Sequence, residues 1–105
     1  PLIVTDGMLF SFLVPDNSAE TLGRIGFFFP INATRFLLWV SAKQDFDYFA
    51  FKYRNITYLN LCRIEQHNKL CTIACGDGNY LKRLVPLIAS FNSGDIVSIS
   101  SERGN

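Results

Sequence analysis

The chain has 105 residues, 49% of them hydrophobic, 14% aromatic and 18% charged, and ten lysines and arginines stand against nine acidic residues for a net charge of +1. That composition excludes disorder, and so small a net charge excludes a global field drawing the chain to DNA or to acidic membranes. The length suits one β-rich domain over residues 1–105, able to bury roughly 60 to 70% of its unfolded surface without staples.

No run approaches about 18 consecutive apolar residues, so no membrane-spanning helix is expected. Pro1-Leu2-Ile3-Val4 has none of the zones of a signal peptide. Three cysteines, an odd number, favour free thiols in a reducing compartment, so the expected location is intracellular, in the cytoplasm. The two sequons, at Asn32 and Asn55, would matter only in a secreted chain.

In chain order, Ile3-Val4 is followed by a turn at Thr5-Asp6-Gly7, and Met8 to Val14 predicts a strand closed by Pro15-Asp16. After a polar stretch from Asp16 to Thr21, Arg24 to Phe29 predicts another strand ended by Pro30, in which Gly26 marks a bulge or a close backbone approach. The region from Thr34 to Cys75 reads as four apolar runs separated by polar breaks. Arg35 to Lys43 is nearly continuous in apolar character, as in a strand covered on both faces, or on one face with a partner on the other. Phe49, Phe51 and Tyr53 alternate with Tyr48, Ala50, Lys52 and Arg54, which predicts a strand with the first three rings inward. Asn55 then gives a tight turn and Ile56 to Glu65 a further strand. Gln66-His67-Asn68 suits a hairpin loop leading into Lys69 to Cys75.

Beyond Gly78 the spacing of Leu81, Leu84, Val85 and Ile88 turns helical, with Asp77 as a cap. Two arrangements fit: a strand over 79–84 followed by a short helix, or one kinked helix over 79–91. Proline's preference for a first turn favours a helix covering at least Pro86 to Phe91. Ile96 to Ser100 predicts a last edge strand before a polar tail. The expected fold is therefore mainly β: an antiparallel meander of about six or seven strands forming a curved sheet or partly closed small barrel, with one short helix near the C-terminus.

Catalytic and metal motifs are scarce. On a hairpin, Cys62 and Cys71 would fall on opposite faces of the sheet, which opposes a zinc site or a disulfide and leaves structural thiols. His67, the single histidine, is expected on an exposed loop, and Asp45 and Asp47 in a solvated turn. No phosphate loop or metalloprotease motif occurs, so neither an enzyme, a metal nor a cofactor is expected.

Two binding surfaces are suggested instead. Leu37 and Trp39 oppose Phe36, Leu38 and Val40 on one strand, and Phe27, Phe28 and Phe29 occupy both faces of another, so apolar surface exceeds what one short helix covers. A protein partner or self-association would cover it, and the expected function is non-catalytic protein binding as an accessory subunit, inhibitor or adaptor, through an aromatic sheet face near Trp39 or an edge strand. The alternative is single-stranded nucleic-acid binding on a small barrel face. Tyr48 would stack a base there while Lys52, Arg54, Lys82 and Arg83 hold phosphates. Nine basic residues against four acidic ones between positions 22 and 84 supply a modest basic centre for it.

Overall fold

A computed structural model describes residues 1–7, 9–16 and 23–93. Strand β1 covers Val4–Thr5, β2 Phe10–Pro15, β3 Gly23–Pro30 and β4 Phe36–Trp39; helices α1 (Gln44–Lys52) and α2 (Ile56–Gln66) follow, then β5 (Ile73–Ala74) and α3 (Gly78–Ile88). The arrangement is a small α+β fold with two antiparallel sheets and three helices among the described residues. In one sheet β2, β3 and β4 lie in chain order as a meander; in the other β1 pairs with β5. Among the described residues no barrel closes, because β2 and β4 remain the two edges of their sheet.

The meander follows from its sequence. Pro15 and Pro30 end β2 and β3, where a missing N–H interrupts no central ladder. In β2 the residues Phe10, Phe12 and Val14 point inward and are buried, as Phe28 is in β3. Gly26 pairs with Phe12 and is a close approach within an unbroken register, with no bulge. A Cβ built there would stand 2.3 Å from Cζ of Phe12, whose ring is wedged against Phe10, Phe49 and Tyr53. Gly26→Ala is therefore expected to destabilise the chain by about 1–3 kcal/mol through overpacking; a urea midpoint equal to that of the wild type would contradict this.

The expected strands over 48–54 and 56–65 are helices instead. Asp45, Phe49 and Tyr53 recur every fourth residue and are all buried, whereas Phe51 is 69% exposed on the opposite side of α1. Phe49 and Tyr53 satisfy both periods, so only the burial of Phe51 separates them, and the sheet offers an apolar layer to a helical stripe. Asn55 is the N-cap of α2 and not a hairpin turn, its Oδ1 accepting from the N–H groups of Thr57 (2.9 Å) and Tyr58 (3.2 Å). Asn68 and Lys69 take left-handed conformations (φ 57° and 61°) that stop α2 where a hairpin loop was expected. Of the expected strand over 69–75, only Ile73–Ala74 forms.

Helix α2 is the middle of the molecule. Its residues from Leu59 to Ile64 are all buried, as in a helix enclosed on every side. On one side Leu59 and Cys62 join Phe10, Phe12, Phe28, Phe49 and Tyr53 beneath the three-stranded sheet. On the other, Leu61 and Ile64 meet Ile3, Tyr80 and Leu84. Among the described residues three helices stand where a single one was expected. Helix α3 begins at Gly78 after Asp77, whose carboxylate accepts from Tyr80 N–H, and Pro86 lies in its last turn rather than its first. The expected strand over 96–100 lies outside the described residues.

Candidate binding surface

The outward face of the β2–β3–β4 sheet is built by alternation. Cross-strand pairing sets Ser11, Phe27 and Trp39 in one row, Leu13 beside Ile25 in another, and Phe29 beside Leu37 in a third. Phe27 and Trp39 also touch, with ring centroids 5.8 Å apart. Exposure is 39% for Leu13, 42% for Ile25, 60% for Leu37 and 58% for Trp39. The helices pack on the other side, where Phe28, Phe36 and Phe49 meet. No charged side chain occupies the outward positions from Ser11 to Leu13, Ile25 to Phe29 or Leu37 to Trp39. An apolar face of this extent without interspersed charge is unusual on a solvated sheet.

The two edges of that sheet differ. At β2 the Gln66 side chain accepts from Ser11 N–H at 3.1 Å and donates to Ser11 C=O at 2.7 Å, occupying the edge as a strand would. Behind β4 lies an open apolar recess of about 420 Å³, lined by Phe36, Leu38, Phe46 and Tyr53 with Asp47 and Arg54 among them.

One ion pair locks the sheet to α1. Arg24 grips Asp45 through Nη2–Oδ1 (2.7 Å) and Nε–Oδ2 (3.0 Å), and reaches Asp16 at 2.8 Å. Asp45 is thus a buried partner and not a solvated turn residue, since its side chain is 1% exposed. Its hydrogen bonds from Arg24 hold the Asp45 carboxyl below its ordinary value of 3.8, and the same bonds raise Arg24. A depressed carboxyl contributes stability that is whole above the ordinary value and is lost as pH falls through the folded-state value. Asp45→Asn should accordingly be less stable than the wild type at neutral pH, with the gap closing in acid; urea midpoints differing by a constant amount at all pH values would contradict it.

The strand face expected to carry the nucleic-acid residues does not form. Tyr48 and Lys52 are four apart on α1, both half-buried, with Lys52 Nζ 5.8 Å from the Tyr48 ring and 5.6 Å from that of Tyr53. Arg54 lies beyond the helix end, folded over Phe51 at 4.4 Å with Nη1 donating to its carbonyl. Lys82 and Arg83 are exposed on α3, Arg83 lying 5.9 Å from the Tyr80 ring. The pleated platform that would align them is absent, because 44–52 is helical. Part of the basic excess is also spent elsewhere: Arg24 is paired, Arg63 is buried, and Lys69 donates to the carbonyls of Ala89 and Phe91.

The thiols and the histidine are placed differently from expectation. Cys62 is buried in α2, while Cys71 and Cys75 are half-buried near the second core cluster, so the hairpin geometry invoked to separate Cys62 from Cys71 does not exist. Burial pushes the Cys71 thiol up, away from a reactive thiolate. His67 is half-buried at the end of α2, its ring so close to Gly7 that a Cβ there would lie 2.4 Å from Cε1. Among the described residues no cluster of His, Cys, Asp and Glu gathers that could hold a metal, and no helix is long and apolar enough to cross a membrane.

The sequence reading named Trp39 and its strand but not the outward apolar residues Leu13 and Ile25 on the neighbouring strands. The signal for them was the alternation of FSFLV and RIGFF, whose outward positions stay apolar. Comparison with protein-family models, curated proteins and solved structures finds no match, so function has to be read from the surface itself.

Proposed function

We propose that the chain is a non-catalytic protein-binding module, an accessory subunit, inhibitor or adaptor, that works through the outward face of β2, β3 and β4. The observation that supports this most is the uncharged face carrying Leu13, Ile25, Leu37 and Trp39, each more than a third exposed. Large apolar groups in such an array lose water when a complementary surface meets them, and aromatic residues of this kind anchor interfaces. Three cysteines that form no disulfide suit a reducing compartment for that role.

The nucleic-acid alternative keeps exposed Lys82 and Arg83 but lacks a free ring beside them, since Tyr48 packs against the core under the sheet. The two readings respond oppositely to salt. Association that shields Trp39, followed by its fluorescence, should be nearly insensitive to added salt. Oligonucleotide binding that falls steeply with salt while Trp39 emission stays unchanged would replace this reading with the alternative.

A further inference from the structure

The outward face is graded in size as well as apolar. Along the row Ser11, Phe27, Trp39 the side chains grow from hydroxymethyl to phenyl to indole across the three strands. A two-fold axis running along β3, between two such faces, would set Ser11 of one copy over Trp39 of the other and Phe27 against Phe27. Thin edge then meets thick edge on both sides, as an isologous interface requires. Resting on the reading above, we propose that the partner on this face is a second copy of the same chain, packed sheet on sheet about that axis.

Area and charge agree with this occupant. Exposure of 39% at Leu13, 42% at Ile25, 60% at Leu37 and 58% at Trp39, with 53% at Leu9 just before β2, corresponds to apolar surface on the order of 500 Å² per copy. Two such faces with their rims bury about 1,000–1,200 Å², the lower bound for a specific interface. Apposed copies usually suffer like-charge repulsion, and here the outward positions hold no charge to repel. Sheets stack at about 10 Å with strands within roughly 30° of each other, a spacing that interdigitated Phe and Leu side chains fill.

The test is sedimentation of the full chain up to about 200 µM, with acrylamide quenching of Trp39, the single tryptophan. A dimer with shielded Trp39 is expected. Leu13→Glu and Trp39→Glu, on opposite edges of the face, should each weaken it by at least about 100-fold, whereas Val85→Glu, on exposed α3, should leave it unchanged. Ser11→Trp should weaken it about tenfold or more by filling the space that Trp39 of the other copy needs; indiscriminate stickiness would instead be strengthened by the added ring. Circular dichroism checks that each variant is folded. A dimer indifferent to Leu13→Glu, or strengthened by Ser11→Trp, overturns the two-fold packing. A chain that stays monomeric overturns self-association; the broader reading survives if host extract shields Trp39 and falls with it if Trp39 stays open there.

Discussion

Asn60→Leu is expected to destabilise the protein by about 4–6 kcal/mol, a large share of the 5–15 kcal/mol that holds a small domain together. The side chain is 0% exposed and makes four hydrogen bonds. Its Oδ1 accepts from Ile3 N–H and from Arg63 Nη1, both at 3.2 Å, and its Nδ2 donates to Pro1 C=O and Tyr80 Oη, both at 2.8 Å. Tyr80 Oη is linked in turn to Thr57 Oγ1 at 2.9 Å. One amide thus ties the N-terminal segment and α3 to the central helix. A leucine of similar size keeps the packing and orphans the partners, each costing about 1–3 kcal/mol. Asn60→Asp retains both acceptor contacts and should lose less. Urea unfolding measures both; a loss below about 1 kcal/mol for Asn60→Leu would mean that the network is dispensable.

The second large effect has the opposite sign. Arg63 is 1% exposed and its Nε and Nη2 meet no acceptor among the described residues; its guanidinium lies 5.4 Å from the Phe28 ring and donates once, to Asn60. Burial pulls its pKa down to about 10, a shift worth about 3 kcal/mol against the charged form. The Phe28 contact and one hydrogen bond offset about 1 kcal/mol of that. Arg63→Met, which fills the same path with apolar atoms, should therefore stabilise the chain by about 2 kcal/mol. The charge is disfavoured in the folded state, so its cost is full below the folded value near 10 and declines as pH rises through it. The advantage of Arg63→Met over the wild type should shrink above that pH. A variant that is less stable than the wild type at neutral pH would show that the guanidinium has a stabilising role.

The meander was legible because prolines at 15 and 30 and the alternation around Phe10, Phe12 and Phe28 leave few options. The middle of the chain was not. YFAFKY is compatible with both periods, and the residues that favour a helix are local: Asp45 and Asp47 in the first turn, Lys52 in the last, and Asn55 able to cap the next helix. Asp45, Asp47 and Asn55 suit turn chemistry equally well, because turns use the same residue types, and Lys52 suits a strand face. Helix α2 carries little amphipathic pattern because it is enclosed on all sides, with Asn60 and Arg63 buried among leucines. Tertiary enclosure decides such a segment. The exposed apolar face was more legible, since Trp39, Leu37 and the run of three phenylalanines already exceeded what a small core could bury. The basic and aromatic set at 48, 52 and 54 depended on a strand, and disappeared with it.

Hydroxyl-radical footprinting of the isolated and the assembled chain tests the central claim most directly, because it reports solvent access side chain by side chain. Leu13, Leu37 and Trp39 should be oxidised readily in the isolated chain, as their exposure requires, and protected together on assembly, while Leu87 on α3, 46% exposed, reacts equally in both. Protection confined to α3 and the start of α1, with Trp39 unchanged, would contradict the account and move the recognition surface to the helices.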